Sequence, residues 1–295
     1  MNKVCIIAEV GVNHNGDFKT AKKLINISNK IGADFVKFQS FDANNLVINS
    51  LKKSNYQIKS KNDHKENQLT MLKRLSLTKL ELKKLFTYSK KIGINLISTP
   101  FDIDYVNYLN KLGVKIFKVS SGDLNNFPLI EAIARTKKPI IISTGRSYLE
   151  EIVETVKFIK SCGNNKISIL QCTSSYPAKF NELNLNVINS FRKKFKYPIG
   201  FSDHSKGIEA AIAAVAIGAT IIEKHITLDK KSKGPDHFAS LEPDEFKMMV
   251  TCIRNIEKSK GNSIKKPNSS EFLGRRKNRR GLYAAKDLKK NYVIK

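Results

Sequence analysis

Apolar residues occur along the chain in eight short runs rich in β-branched side chains, and longer amphipathic stretches separate these runs. A short, nearly continuous apolar run is typical of a parallel strand that is buried on both faces. The pattern therefore predicts eight strands, at residues 4–10, 34–39, 94–99, 114–120, 139–144, 166–172, 197–202 and 220–225.

The stretches between the runs have the residue spacing of helices, most clearly at 18–32, 148–163 and 205–219. Glycine, which readily forms the left-handed turn at a helix C-terminus, closes several helical stretches. These glycines are Gly32, Gly93, Gly113, Gly163 and Gly218. Alternating strands and helices predict a (β/α)8 TIM barrel. A doubly wound open sheet is the alternative, but no glycine-rich dinucleotide motif follows the first strand.

Three segments depart from the alternating pattern. Residues 40–80 are longer and more polar than an ordinary connection, so we expect an elaborated loop over the barrel mouth after the second strand. Residues 262–280 are rich in Pro, Ser, Asn and charge, which predicts a linker. Residues 281–295 contain a short strand-like pattern. The expected organisation is a barrel over 1–261, a linker, and the beginning of a second unit.

The composition indicates a protein without a membrane anchor. Of the 295 residues, 41% are hydrophobic and 27% charged, and no apolar run approaches the roughly 20 residues that span a bilayer. The N-terminal residues lead directly into the first predicted strand, unlike a secretory signal. The cysteines show no C-x-x-C spacing, which favours reduced thiols. We therefore expect a cytoplasmic location.

The formal net charge of +27 raises the alternative of a basic nucleic-acid-binding protein. The lysines, however, are scattered over nearly every predicted element, and the one tight basic cluster is at residues 275–280. A codon bias towards Lys, Asn and Ile would produce the same composition. We therefore expect no nucleic-acid partner, although a positive field would help to collect an anionic substrate.

Polar side chains occur at the C-terminal end of every predicted strand, which is where TIM barrels carry their active sites. Lys37 and Gln39 are two residues apart and so share one face of the second strand. Inward lysines, serine hydroxyls and backbone N–H groups next to glycine would suit an anion with a phosphate and a carboxylate. The residues at the strand ends include Glu9, Lys37, Gln39, Lys118, Ser121, Asp123, Ser143, Ser174, Tyr176, Ser202, His204, Glu223 and His225.

His204 and His225 end the seventh and eighth predicted strands. Adjacent strands lie about 4.8 Å apart, so both imidazoles could reach one metal ion in an open site. Glu223 shares a strand face with His225 and could orient a ligand. The alternative, which the sequence leaves open, is two hydrogen-bonded structural histidines.

The motifs together resemble the sialic acid synthase family, especially N-acetylneuraminate synthase and its legionaminic acid relatives. The similar stretches run in order along the whole chain. They include "IIAEVGVNHNGD", "ADFVKFQSF", "FKVSSGDLNNFPLI", "QCTSSYP", "GFSDHSKGIEAAIAAVAIGAT", "IIEKHITLD" and "GPDHFASLEPDEF". Pseudaminic acid synthase is a related alternative, and the "GPDH" run favours the neuraminate or legionaminate branch.

The resemblance implies an enzyme that condenses phosphoenolpyruvate with an N-acyl-mannosamine sugar, giving a nine-carbon sugar acid and phosphate. It implies a divalent metal on His204 and His225, usually Mn²⁺, with Mg²⁺ or Co²⁺ as alternatives. It places Lys37, Lys118, Ser121, Ser143, Ser174 and Ser202 at phosphoenolpyruvate. It places Gln39, Asp123, Tyr176 and Asp236 at the sugar. The implied catalytic residues are Glu9, as base for the attacking water, together with Lys118, Asp123 and Glu223.

The chain departs from the family pattern at three places. Asp123 replaces a more common Glu, and Ser174 stands where some members carry Asn. Residues 281–295 resemble only the opening of the antifreeze-like (SAF) domain, which in the family crosses a domain-swapped homodimer and places an Arg on the partner's sugar. We expect either a partial sequence or a protein with a weakened sugar site. A barrel that dimerises without catalysing is a further alternative.

Overall fold

The computed structural model describes residues 3–48, 50–53, 57 and 66–293. Parallel strands close into an eight-stranded barrel in sequence order, so the predicted TIM barrel is confirmed. The strands are β1 (Cys5–Gly11), β2 (Phe35–Ser40), β3 (Asn95–Pro100), β4 (Phe117–Val119), β5 (Ile140–Ser143), β6 (Ile167–Cys172), β7 (Ile199–Asp203) and β8 (Ile221–His225).

Helices connect the strands, and most of the helices within the unit Met1–Lys260 pack an apolar face against the outside of the barrel. The helices are α1 (Phe18–Lys30), α2 (Ala43–Leu46), α3 (Gln68–Leu75), α4 (Lys79–Ile92), α5 (Ile103–Leu112), α6 (Phe127–Arg135), α7 (Leu149–Ser161), α8 (Val187–Lys194), α9 (Glu209–Ala216), α10 (Pro243–Ser259) and α11 (Phe272–Asn278). Gly93 caps α4 with a φ of 86° and Gly113 caps α5 with a φ of 82°, as their spacing predicts. Among the described helices, none is long and apolar enough to cross a membrane.

Two kinds of side chain fill the barrel interior. Successive residues of a strand point to opposite faces, so the inward positions of each strand are two apart. Near the N-terminal ends these positions form an apolar cluster, the barrel plug, made of Ile7, Ile97, Ile141, Leu170 and Ile221. Two residues further along, the same inward rows carry Glu9, Thr99, Ser143, Cys172 and Glu223. The interior therefore changes from apolar to polar towards the C-terminal ends of the strands.

The connection after β2 forms helices as well as a loop. Helices α2 and α3 pack in a small separate cluster with Val12, which follows β1, and Phe101, which follows β3. This contact places the connection at the carboxyl end of the barrel, as expected for residues 40–80. Residues 49, 54–56 and 58–65 of that prediction lie outside the described residues.

The chain divides into two compact units, Met1–Lys260 and Gly261–Lys295. The second unit contains a short helix, α11, where the sequence pattern predicted only a linker. Residues 281–293 form no strand, so the strand-like interpretation of this segment was wrong for the described residues. Their large side chains, such as Leu282 and Tyr283, are exposed, and a strand needs a neighbouring strand for its backbone hydrogen bonds. Assignment of this segment to an antifreeze-like domain stays a prediction.

Candidate active site

A cavity of about 240 Å³ opens at the C-terminal ends of the barrel strands. Most of the residues that the sequence pattern selected line it. They are Glu9, Lys37, Gln39, Lys118, Ser121, Ser143, Ser174, Tyr176, Ser202, His204, Glu223 and His225. The strands therefore bring together side chains that are more than 200 positions apart in the sequence.

Sequence reasoning missed six further residues of the cavity wall, namely Thr99, Phe101, Ser120, Gly122, Arg146 and Cys172. Thr99 and Cys172 occupy inward strand positions, and strand alternation alone could have identified them. Arg146 lies in the turn after β5, where no periodic pattern reports on the direction of a side chain. Its discovery required the three-dimensional structure.

Lys37 lies between two buried carboxylates. Its ammonium group is 3.0 Å from Oε2 of Glu9 and 3.5 Å from Oε1 of Glu223. Burial raises the pKa of Glu9 to about 7, and the negative Glu223 adds to the rise while Lys37 opposes it. Burial also acts on Glu223, but the charges of Lys118 and Lys37 lower its pKa and keep it ionised. One of the two carboxylates can therefore exchange a proton near neutral pH.

Lys118 has two neutral partners, one on the neighbouring strand β5 and one on its own strand β4. Its ammonium donates to Oγ of Ser143 at 2.5 Å and to the carbonyl oxygen of Val119 at 2.9 Å. Burial lowers the pKa of this lysine, because the charged form loses its hydration. An anion bound beside it would replace that hydration and be attracted strongly in return.

The hydroxyls of Ser121 and Ser174 meet above the end of β5, next to Gly145. We call these three residues the anion pocket. The backbone N–H of Gly145 donates to Oγ of Ser121 at 3.0 Å. A Cβ atom at position 145 would lie only 2.2 Å from Oγ of Ser174 and 3.0 Å from Oγ of Ser121. A Cβ atom here would displace the Ser174 hydroxyl, so glycine lets the loops after β4 and β6 converge on the pocket.

The two predicted metal-binding histidines lie side by side. The ring centroids of His204 and His225 are 5.6 Å apart, and the ring of Tyr176 lies 4.2 Å from that of His204. His204 Nδ1 is 2.8 Å from the carbonyl oxygen of Thr173, which can only accept a hydrogen bond. Nδ1 therefore carries a proton, and in the neutral ring Nε2 has the free lone pair.

The donor atoms fit a cation in an open site. Burial lowers the pKa of His225 well below its usual value, so this imidazole is neutral, and its buried Nδ1 has no hydrogen-bond partner among the described residues. Within the described residues, no group of three or more His, Cys, Asp or Glu side chains could hold a metal. Two imidazoles alone leave coordination positions for water and substrate oxygens, as an open metal site requires.

Asp236 approaches the same region from the loop after β8, although it is not part of the cavity wall. A Cβ atom at Gly11 would lie 3.2 Å from Cε1 of His225, 3.3 Å from Oε1 of Glu9 and 3.4 Å from Oδ2 of Asp236. Gly11 has a φ of +55°, which also favours glycine. Glycine at position 11 therefore leaves a space between His225, Glu9 and Asp236, which the side chain of any other residue would fill.

Asp123 lies away from the cavity wall. Its carboxylate accepts hydrogen bonds from Oγ of Ser120 at 2.5 Å and from Nδ2 of Asn126 at 3.2 Å. Ser120 itself lines the cavity. In this arrangement Asp123 supports the loop that carries Ser121, and its predicted direct role at the sugar stays a prediction.

The whole chain is similar to known enzymes. The NeuB family model matches residues 24–265. The chain belongs to the NeuB family. It is 49% identical over 297 residues to the N,N'-diacetyllegionaminic acid synthase of Campylobacter jejuni, which covers 100% of this chain and 88% of that protein. It is also 36% identical to the pseudaminic acid synthase of the same species, over 99% of this chain and 84% of that protein.

A solved structure supports the same assignment. The crystal structure of N-acetylneuraminic acid (sialic acid) synthetase from Leptospira borgpetersenii superposes with a TM-score of 0.83 at 35% identity, over 94% of this chain and 92% of that one. Membership of the sialic acid synthase family, which the motifs predicted, is therefore confirmed.

Proposed function

We propose that this NeuB family protein condenses phosphoenolpyruvate with an N-acyl-mannosamine-type sugar, giving a nine-carbon legionaminate or neuraminate and phosphate. The observation that carries the proposal is the cavity, in which buried lysines and the anion pocket lie beside two imidazoles. The whole-length similarity to a legionaminic acid synthase supports the legionaminate branch.

The protein residues bind and orient the two substrates. Lys37, Lys118 and the hydroxyls of Ser121, Ser143, Ser174 and Ser202 would receive the phosphate and carboxylate groups of phosphoenolpyruvate. Tyr176, Gln39 and Asp236 would contact the sugar. Burial strengthens these charge interactions because water is excluded from between the groups.

Glu9 is the residue best suited to take a proton from the water that attacks C2. A pKa of about 7 lets it act as a base at neutral pH, and the ion pair with Lys37 holds its carboxylate in place. Glu223 accepts a hydrogen bond from Ser202 at 3.1 Å and supplies negative charge for the positive carbon formed during the reaction.

His204 and His225 would hold a divalent cation, Mn²⁺ in the first place and Mg²⁺ or Co²⁺ as alternatives. When bound, such a cation withdraws electron density from the sugar aldehyde, so that the enol carbon can attack it. His204 keeps its Nδ1 proton on the Thr173 carbonyl, which orients the opposite nitrogen towards the cavity.

Phosphate release from phosphoenolpyruvate tests the proposal. The assay compares N-acetylmannosamine, the 2,4-diacetamido-2,4,6-trideoxy mannose and the pseudaminate precursor, with and without Mn²⁺. We expect turnover with one of the first two sugars, stimulation by Mn²⁺, and loss of both Mn²⁺ binding and activity in His204→Ala and His225→Ala. Unchanged metal binding in both variants would remove the metal assignment, and turnover only with the third sugar would favour pseudaminate synthesis.

A further inference from the structure

We propose that Arg146 binds the phosphate group of phosphoenolpyruvate, an inference that rests on the function proposed above. Arg146 lies in the turn after β5 and lines the cavity together with Ser121 and Ser174. It also borders a second cavity of about 590 Å³ between α7 and α8, so it stands where the anion pocket opens outwards. No sequence pattern singled out this residue.

The backbone of Arg146 is in an unusual conformation. Its φ is +65°, in the left-handed region that residues with a Cβ rarely adopt. Gly145 is next to it, yet glycine does not occupy the strained position. Strained backbone is retained mainly where the side chain it positions has a function. The conformation fixes the direction in which the Arg146 side chain leaves the turn beside the cavity.

The guanidinium group of Arg146 is available for a ligand. Within the described part of the chain, it has no hydrogen-bond or ion-pair partner. By contrast, Lys37 is paired with Glu9 and Glu223, and Lys118 donates to Ser143. Arg146 is thus the cation at the cavity that has no partner of its own within the described residues.

The balance of charge favours the same assignment. Phosphoenolpyruvate is strongly anionic at neutral pH, with one carboxylate and a phosphate monoester. The charge of Lys37 is offset by its two carboxylate neighbours, which leaves Lys118 as the buried lysine of the cavity without a described carboxylate in ion-pair range. A guanidinium at the rim supplies the missing positive charge, and its planar fork can contact two phosphate oxygens at once.

The adjacent groups identify the phosphate rather than the carboxylate as the ligand. Ser121 and Ser174 converge on Gly145, which immediately precedes Arg146, and the exposed Arg146 lines the same cavity as the two hydroxyls. Two hydroxyls and an arginine that borders the same cavity suit the three terminal oxygens of a phosphate better than the two of a carboxylate. Inorganic phosphate should occupy the same place.

Three variants test the role: Arg146→Met, Arg146→Lys and Arg146→Gly. Losing a charge-assisted hydrogen bond typically costs about a factor of 10 to 100 in binding. We expect the KM for phosphoenolpyruvate and the inhibition constant of inorganic phosphate to rise by that factor in the Met and Gly variants. The KM for the sugar should be unchanged, kcat should change less than about threefold, and the Lys variant should recover part of the affinity.

Arg146→Gly separates function from structure. Because glycine tolerates a positive φ, this variant should melt no lower than the wild type while losing affinity for phosphoenolpyruvate. Arg135→Met, which removes an exposed arginine of α6 that is paired with Glu131, is the matched control and should leave all constants unchanged.

Calorimetric titration with phosphoenolpyruvate and with inorganic phosphate distinguishes the two proposals. Wild-type protein that binds phosphoenolpyruvate no more tightly than Arg146→Met and Arg146→Gly would overturn the role of Arg146 alone. Wild-type protein that does not bind phosphoenolpyruvate would overturn the proposed function and this assignment together.

Discussion

The ammonium group of Lys224 lies 2.7 Å from Oδ2 of Asp203, and neither side chain is exposed. The two residues are register partners on β8 and β7, and each neighbours one of the cavity histidines in sequence. Lys224 also donates to the carbonyl oxygen of Ser205, while the other oxygen of Asp203 accepts from the Ser205 backbone. This ion pair therefore fixes the strand ends that carry His204 and His225.

Replacing Lys224 by Met should reduce the free energy of unfolding by about 3–5 kcal/mol, because it leaves a buried carboxylate without its partner. The double variant Lys224→Met/Asp203→Asn should lose less than the sum of the two single variants. Urea denaturation measures these differences. Lys179→Met, which breaks an exposed pair with Glu182, should change stability by less than about 1 kcal/mol. An equally small effect of Lys224→Met would contradict this account.

Acid should destabilise the protein through His14. Burial lowers the pKa of this residue from 6.5 to about 4, and its Nδ1 accepts a hydrogen bond from the backbone N–H of Gly16. The unfolded chain binds a proton here at a higher pH than the folded chain does, so stability is present above pH 6.5 and falls as the pH drops towards 4. The shift corresponds to about 3 kcal/mol.

Melting curves from pH 7 to pH 4 measure this dependence. His14→Asn keeps an acceptor for the Gly16 N–H but cannot be protonated in this range. Its melting temperature should fall less steeply with acid than that of the wild type. Parallel curves for the two proteins would show that other groups cause the acid sensitivity.

Glu9→Gln should reduce the rate of phosphate release by about 10²- to 10⁴-fold, because an amide cannot accept the proton of the attacking water. In the wild type, only the deprotonated form of Glu9 acts as a base. With a pKa of about 7, activity should therefore rise as the pH increases through 7. Steady-state rates between pH 5.5 and 8.5 measure this rising limb of the pH profile. Retention of the same rising limb in Glu9→Gln would assign it to another group.

Gly145→Ala should weaken phosphoenolpyruvate binding at least tenfold, because the added methyl group would lie 2.2 Å from Oγ of Ser174. Gly122→Ala is a matched control at the same cavity, since its Cβ would come no closer than 3.8 Å to Oγ of Ser120. Calorimetric titration with phosphoenolpyruvate compares the two. The double variant Gly145→Ala/Ser174→Ala should recover part of the lost affinity, although it lacks one hydroxyl. If Gly145→Ala binds phosphoenolpyruvate normally, the anion pocket is not the binding site.

The barrel could be predicted from the sequence because strands buried on both faces form uninterrupted apolar runs. The predicted and observed strands agree closely at their ends for β1, β2 and β6. β4 is shorter than its apolar run. Val114, at the start of that run, is buried in the core but lies outside any strand. Helices α2 and α3 were not predicted, because their stability depends on packing against Val12 and Phe101, which are distant in sequence.

The site could be predicted where strand alternation controls the direction of side chains. This applies to Lys37, Glu223 and His225, whose inward positions follow from the period of two residues. Arg146 lies in a turn and Asp123 ends a short 3-10 helix, where the direction depends on individual backbone angles and hydrogen bonds. The resemblance located Asp123 in the site region, but only the structure revealed its bonds with Ser120 and Asn126.

The barrel plug has a kinetic consequence. Ile7, Ile97, Ile141, Leu170 and Ile221 fill the interior below the polar layer, so the plug closes the route towards the N-terminal ends of the strands. Reactants and products must then share the opening at the carboxyl end. The reactant seated deeper has to arrive before the other one blocks its path. The architecture thus favours a sequential order of addition, in which the reactant that lies deeper enters first.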